Sequence, residues 1–302
     1  MRQAVRARRT PRRSAARGAE RARQPAPGRE QGQEPAPAPR RWTAAAWAVL
    51  GCAVLYGLLA WQVAVDGPVR ELDERTGPAL SRHAPPGAEL LADLGGVWVA
   101  LPVLAAAMLY AVWRTPVRAQ AAPGGGERTA HAPAGRGPLG TLRLLGLLHP
   151  LLRRVPAAVR VPLFAGAAAF TVLPAVVLPL KSAQARPGPK GPLADDYAGF
   201  FPSGHSTTAA VAYGAVVLLL LPLLRSPAAR RLLVAAAGTV VLGVGAGLVW
   251  REYHWPLDVL AGWSLAGVLL AGCRYGAARL TAYATARVIP HGPDRLRRPR
   301  RP

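Results

Sequence analysis

Long apolar stretches separated by short polar segments dominate the chain. A membrane-spanning helix needs about 20 mostly apolar residues. Six stretches come close to or exceed this length: 43–65, 95–113, 160–180, 205–224, 232–250 and 257–273. The Gly and Pro residues inside them are compatible with membrane helices. The pattern predicts an all-α integral membrane protein, a bundle of six spanning helices.

The polar segments divide the chain around this bundle. Residues 1–41 contain 12 Arg and three Glu among many Pro and Ala residues, which predicts a disordered basic tail. The membrane domain is expected over 42–273, with a linker at 114–159. Within that linker, 139–153 is apolar but carries charge, and we interpret it as an interfacial helix instead of a seventh span. Residues 274–302 form a second basic tail.

The distribution of charge predicts the orientation. The chain has a net charge of +23, and 36 of its 38 basic residues are Arg. Segments on the side of the N-terminal tail hold 31 Arg and five acidic residues, whereas those on the other side hold seven basic and ten acidic residues. Basic loops remain in the cytoplasm. We therefore expect a plasma-membrane protein with both termini cytoplasmic, and with 181–203 and 251–258 facing outward.

Composition also excludes several classes of protein. The apolar stretches argue against a soluble nucleic-acid-binding protein and against a wholly disordered chain. Cys52 and Cys273 both lie in apolar stretches, so a disulfide framework is not expected. No zinc-ligand spacing occurs, and we expect neither a metal nor another cofactor.

Chemically versatile residues gather at the predicted outer surface. Ser203 is expected to cap the fourth span, where Gly204 lets an anion approach unpaired backbone amides. Lys181 and Arg186 follow the third span and supply positive charge. Further residues of this group are His205, His254 and Asp258.

His254 and Asp258 have the spacing of an oriented catalytic pair. Pro256 favours a helix start between them, so that Asp258 in the first turn can reach a ring nitrogen of His254. Such a pairing fixes the tautomer and makes the other nitrogen a better nucleophile or base. Two histidines, several cations and one orienting carboxylate indicate metal-independent phosphoryl transfer.

These residues resemble the motifs of the type 2 phosphatidic acid phosphatase family. That family carries K-x6-R-P, then P-S-G-H, then S-R-x5-H-x3-D. Here the tetrapeptide is complete at 202–205, and His254 and Asp258 keep their spacing. The resemblance covers about 160–273 by motif. It implies that His254 attacks phosphorus to form a phosphohistidine, that Asp258 orients it, and that His205 protonates the leaving oxygen.

Two motifs depart from the family pattern. The arginine of the first motif falls on Gly188, and only Arg186, two residues earlier, is present. The Ser-Arg pair of the third motif falls on Gly247 and Leu248. Arg251 is the nearby cation, and we expect it to replace the missing arginine. The predicted phosphate-binding residues are Lys181, Arg186, Ser203, Gly204 and Arg251.

The resemblance implies a membrane phosphatase for a lipid mono- or diphosphate. Phosphatidate, phosphatidylglycerophosphate and an isoprenoid diphosphate all fit, and the partners are this substrate and the bilayer, with no nucleic acid. Two alternatives remain at this point. The same site could transfer phosphate to an acceptor lipid or sugar, or the altered motifs could belong to a non-catalytic membrane protein that retains the fold.

Overall fold

The computed structural model describes residues 44–115, 155–191 and 198–286. In these ranges the regular elements are helices, and the predicted all-α fold is confirmed. The helices are α1 (Ala44–Ala64), α2 (Pro68–Ser81), α3 (Ala88–Asp93), α4 (Val97–Arg114), α5 (Ala157–Gln184), α6 (Gly204–Leu220), α7 (Pro227–Trp250) and α8 (Pro256–Ala286). A short 3-10 helix, Leu221–Leu223, follows α6.

Six of these helices, α1 and α4 to α8, are long and apolar enough to cross a membrane. They coincide with the six predicted spans, and the chain is a multi-pass membrane protein. Their outer faces carry large exposed apolar side chains, as lipid contact requires. Trp98 and Trp113 are 88% and 76% exposed at opposite ends of α4, where aromatic residues favour the two membrane–water interfaces.

Several boundaries differ from the sequence prediction. α5 continues through Lys181 to Gln184, so Lys181 is in the last helical turn and not in the following loop. α8 continues to Ala286, so the first part of the predicted tail 274–302 is helical. The segment 66–93, which joins the first two predicted spans, contains α2 and α3. The tail 1–41 and the proposed interfacial helix 139–153 lie outside the described residues.

α6 and α8 occupy the middle of the bundle. α6 packs against α4, α5, α7 and α8, while α8 also packs against α1 and α5. Their contact surfaces are lined by small residues such as Ala209, Ala212 and Ala261, which are fully buried. Small side chains let membrane helices approach closely. This packing brings the ends of α5, α6 and α8 together at one end of the bundle.

Local sequence fixes the helix ends that matter for the site. Ser203 caps α6 by accepting a hydrogen bond from Ser206 N (3.3 Å), as predicted. Pro256 begins α8, where its missing N–H costs nothing. α5 ends at Ala185, whose φ of 43° turns the chain away from the helix axis. The N–H of Ser203 also donates to Asp258 O (2.9 Å) and thereby joins the starts of α6 and α8.

Candidate active site

His254 and Asp258 form the pair that the spacing predicted. His254 lies in the turn before α8 and is only 5% exposed. Its Nδ1 is 3.3 Å from Asp258 Oδ2, and Trp255 N donates to the same oxygen (3.0 Å). Because an ionised carboxylate only accepts, Nδ1 is the donor, and Nε2 is left with its lone pair.

The surroundings of His254 keep its ring neutral. Burial lowers the pKa of His254 below its ordinary value, and the charge of Lys181 acts in the same direction. Asp258 opposes this shift without reversing it. The imidazole is therefore in its neutral, nucleophilic form at pH 7.

Lys181 supplies positive charge next to the start of α6. Its side chain is 7% exposed, and its Nζ donates to Gly199 O (2.7 Å). A Cβ placed on Gly204 would lie 3.9 Å from Lys181 Cε, so the ammonium stem runs beside the first turn of α6. Gly199 has a φ of +124° and lies so close to Lys181 O that a Cβ would be 2.8 Å from it. Glycine is thus required where the chain returns to the site.

His205 lies in the first turn of α6, on the side of the α3–α4 connection. Its Nε2 is near Gly96, since a Cβ there would be 4.0 Å away. The side chain is exposed and lies within electrostatic range of His254 and Lys181. The structure therefore brings both predicted histidines and the predicted lysine into one electrostatic group.

Ser203 is placed differently from the expectation that it contacts phosphate. It is fully buried, its hydroxyl caps α6, and its amide is bonded to Asp258 O. We therefore assign it to fixing the start of the helix.

Arg186 is surrounded by carboxylates that the sequence interpretation did not identify. The side chain is 1% exposed. Nη1 donates to Asp258 Oδ1 (2.8 Å), and Nη2 donates to Asp73 Oδ2 (2.9 Å) and Glu74 Oε1 (3.1 Å). The ring of Trp255 lies 5.6 Å from the guanidinium carbon. Arg186 Nε is buried and has no hydrogen-bond partner among the described residues.

These ion pairs determine the charge states in the group. Burial opposes the charge on Arg186, but Asp258 and Asp73 outweigh it, so its pKa is above the ordinary value. Burial raises the pKa of Asp73 to about 6, against the opposing effect of Arg186 and of the Leu257 amide. The ion pair with Arg186 favours the ionised form of Asp73, and the arginine is charged.

Arg251, the expected substitute for the missing arginine, pairs with an acidic residue of α3. Its Nε donates to Glu89 Oε2 (2.5 Å), and its guanidinium carbon lies 5.9 Å from the centre of the Tyr253 ring. Tyr253 donates to the same carboxylate. The Arg251 side chain is 45% exposed, so it forms a surface pair between the turn before α8 and α3. The clamp role of Arg251 stays a prediction, and this geometry gives it no support.

The two positions where the family carries Ser and Arg are closed by packing. A Cβ on Gly247 would lie 2.6 Å from Ala88 O and Ala92 N, because α3 crosses α7 there. Leu248 is 1% exposed in an apolar cluster with Ala92 and Tyr213. Gly188, the first-motif position, packs against Phe200 in the same way. Apolar side chains therefore occupy the space at Gly188 and Leu248, the positions of the two family arginines, and backbone packing closes the position of Gly247.

We expect Arg251→Ala to change the efficiency of phosphate release by less than about threefold, as is usual for an exposed ion pair. Leu248→Arg should lower thermal stability, because it buries a charge among apolar side chains. Steady-state kinetics of the first variant and a thermal unfolding curve of the second are the measurements. A tenfold loss in Arg251→Ala would support the expected clamp role of Arg251. A stable and more active Leu248→Arg protein would show that packing does not close position 248 to an arginine.

The missed residues had a weak signal in the sequence. Asp73 and Glu74 lie between the first two predicted spans, and their distance from Arg186 along the chain gives no indication of contact. An arginine buried beside a membrane needs carboxylate partners. The acidic residues of 66–93 were the available candidates, but neither helical periodicity nor a motif singled out two of them.

Comparison with known proteins finds a family model that matches the segment holding the site. Residues 163–282 match the model of the PAP2 superfamily. The segment is similar to this superfamily. It contains Lys181, His205, His254 and Asp258. It ends at residue 282, near the end of α8.

A solved structure supports the fold over most of the chain. The crystal structure of a transmembrane PAP2 type phosphatidylglycerolphosphate phosphatase from Bacillus subtilis superposes with a TM-score of 0.52. The two chains are 21% identical, and the match covers 78% of this chain and 97% of the other. No curated protein matches the chain significantly in sequence. The PAP2 fold therefore extends beyond the matched segment to the earlier helices.

Proposed function

We propose that the protein is a membrane phosphatase that hydrolyses a lipid mono- or diphosphate through a phosphohistidine. The observation that carries this proposal is the buried His254–Asp258 pair beside Lys181, within a PAP2 superfamily segment. A neutral imidazole with an oriented ring and a nearby fixed cation has the properties of a nucleophile for phosphorus.

The proposed reaction has two steps. Nε2 of His254 attacks phosphorus, the bond from phosphorus to the leaving oxygen breaks, and protonated His205 gives that oxygen its proton. The leaving oxygen is the lipid alcohol oxygen of a monophosphate or the bridging oxygen of a diphosphate. In the second step His205 takes a proton from water, whose oxygen displaces the histidine nitrogen. Inorganic phosphate leaves, and both histidines return to their starting states.

Binding of the phosphate oxygens is assigned to a smaller group than the sequence suggested. Lys181 and the backbone amides at the start of α6, next to Gly204, are assigned to stabilise the negative charge that develops on the phosphate oxygens. Arg186 could add its Nε–H, since its other nitrogens already donate to carboxylates. The arrangement supplies electrostatic stabilisation of the kind that a metal provides in other phosphotransferases.

The substrate class follows from the position of the site. Lys181 and His205 lie at the ends of spanning helices, where the head group of a lipid reaches the membrane surface. Phosphatidate, phosphatidylglycerophosphate and an isoprenoid diphosphate are the candidates, and the solved structure above is described as a phosphatidylglycerolphosphate phosphatase.

A second candidate has one specific observation in its favour. Gly247 and Leu248 are packed against α3, so the third motif lacks its phosphate-binding arginine. A non-catalytic membrane protein that retains the PAP2 fold would tolerate this change. The complete His254–Asp258–Arg186 geometry favours an enzyme, because a relic would not need these buried charges.

The test of the proposed function is phosphate release by purified protein in detergent with a chelator present. Phosphatidate, phosphatidylglycerophosphate and an isoprenoid diphosphate are supplied in turn, each with and without an acceptor lipid. We expect release from at least one lipid without an acceptor. Turnover that requires the acceptor would identify a phosphotransferase, and no turnover with any lipid would favour the non-catalytic protein.

We further propose that the site faces outward from the plasma membrane, with both termini in the cytoplasm. The support is the excess of Arg on the opposite side of the bundle. In a variant without Cys52 and Cys273, a cysteine at exposed Arg82 should react with an impermeant thiol reagent in intact cells. One at exposed Arg225 should react only after lysis. The reverse pattern would place the site in the cytoplasm.

A further inference from the structure

The short helix α2 contributes a buried carboxylate to the group around Arg186. Asp73 is 5% exposed, and both of its oxygens are occupied. Oδ2 accepts from Arg186 Nη2 (2.9 Å), while Oδ1 accepts from Leu257 N (3.0 Å) in the first turn of α8. Asp73 therefore contacts both the arginine and the start of the helix that carries Asp258.

Arg186 connects Asp73 to the proposed nucleophile. Its Nη1 donates to Asp258 Oδ1 (2.8 Å), and the opposite oxygen of Asp258 holds Nδ1 of His254. Asp73, Arg186, Asp258 and His254 thus form a continuous chain of ion pairs and hydrogen bonds, and all four side chains are buried. The planar guanidinium has fixed directions for its donors, so its position depends on both carboxylates.

The surrounding residues close this chain from the outside. The Trp255 ring lies near the guanidinium, and its Nε1 donates to Pro187 O (3.1 Å). α2 also packs closely against this ring, because a Cβ on Gly77 would lie 2.8 Å from it. α2 therefore packs over Arg186, and its Asp73 carboxylate forms an ion pair with the guanidinium.

We propose that Asp73 is a positioning residue for catalysis, which acts on His254 through Arg186 and Asp258. The inference rests on the proposed phosphatase function and extends it to a helix outside the matched PAP2 segment. Arg186 is then primarily the support of the orienting aspartate. Asp73 does not touch the substrate, so its loss should affect turnover more than substrate binding.

The first test is Asp73→Asn, which keeps an oxygen for the Leu257 amide and removes the charge next to Arg186. We expect kcat to fall about ten- to a hundredfold, as for the loss of a charge-assisted hydrogen bond, with KM changed by less than about twofold. Glu71→Gln is the matched control, because this acid is on the same helix but is exposed and paired only with Arg75 among the described residues. Equal kcat in Asp73→Asn and Glu71→Gln would overturn the proposal.

A double-mutant cycle separates positioning from a local effect on folding. If Asp73 acts through Asp258, adding Asp73→Asn to Asp258→Asn should lower kcat by less than about threefold beyond Asp258→Asn alone. Full additivity of the two losses would contradict a shared route. If Asp73→Asn does not fold, Asp73→Glu retains the charge but displaces the carboxylate, and we expect a folded protein with reduced kcat. Unchanged kcat in that variant would also overturn the proposal.

A spectroscopic measurement tests the inference without any substrate. In protein labelled with ¹⁵N-histidine, the ring resonances of His254 are identified by their loss in His254→Ala. They should shift in Asp73→Asn and stay in place in Glu71→Gln, because only the first change reaches Asp258. Resonances that do not move in Asp73→Asn would overturn the positioning role. If wild-type protein releases no phosphate but these resonances shift, the proposed function fails and the structural coupling stands.

Discussion

Replacing His254 by alanine should reduce phosphate release by about 10⁴-fold or more, the scale on which loss of a catalytic nucleophile acts. The reason is geometric, since Nε2 of His254 is the ring nitrogen that Asp258 leaves unprotonated. His254 is nearly buried, so folding must be checked by a thermal unfolding curve of the purified protein. The measurement is release of inorganic phosphate from the best lipid of the panel, in chelator.

His83→Ala is the matched control for this experiment. His83 is exposed on the same predicted side of the membrane, and its ring contacts the Ala79 carbonyl in α2. We expect wild-type kinetics from this variant. A folded His254→Ala protein that keeps more than a tenth of the wild-type rate would exclude His254 as the nucleophile.

Asp258→Asn should lower kcat by about 10³- to 10⁴-fold, as for an aspartate that orients a catalytic histidine elsewhere. In this structure it should also lower stability. Both oxygens of Asp258 accept hydrogen bonds, one from Arg186 and the other from His254 and Trp255. An amide must place its NH₂ group against one of these donors, which costs about 1–3 kcal/mol for an unmet buried group.

Kinetics and thermal unfolding together test this expectation. On the sequence alone, Asp258→Asn would remove only the orientation of His254, and the protein would remain as stable as before. The structure adds an expected loss of stability, because Asp258→Asn also weakens the contact with Arg186. A variant with normal stability and a severely reduced rate would mean that the contact between Asp258 and Arg186 does not contribute to stability. A variant with a normal rate would contradict the catalytic pair itself.

The spanning helices could be predicted because a bilayer imposes a simple requirement on sequence. Every backbone polar group must be satisfied within the helix, so length and apolar content suffice to find it. The same logic does not give the ends of α5 and α8, which extend beyond the apolar core. Lys181 could therefore be selected as a functional residue, but its position within the last turn of α5 could not.

The local part of the site was also predictable. His254 and Asp258 are one helical turn apart, and Ser203 precedes a helix start, so short-range geometry fixes both contacts. Sequence distance carries this information because the helix has a regular period. The starts of α6 and α8 are distant in sequence and meet only through packing. Their proximity was nevertheless implied by the resemblance to the family, whose motifs occur in the same order.

The partners of Arg186 and Arg251 could not be predicted in this way. Each arginine contacts a helix of the 66–93 segment, through Asp73 and Glu74 in one case and Glu89 in the other. These contacts depend on how α2 and α3 fold over the end of the bundle. From the sequence, an arginine close to a motif was expected to bind the phosphate. In the folded chain, neighbouring carboxylates compete for the same guanidinium. The geometry gives the expected clamp role of Arg251 no support for this reason.

The most direct measurement of the central claim is identification of a phosphorylated residue during turnover. Wild-type protein is mixed with a lipid that carries labelled phosphate, quenched in alkali within the first turnover, and digested for mass spectrometry. We predict a phosphoryl group on His254 that is stable in alkali and lost in acid, and no labelled protein in His254→Ala. Label on another residue, or turnover of labelled lipid with no phosphorylated protein at any quench time, would contradict the phosphohistidine account.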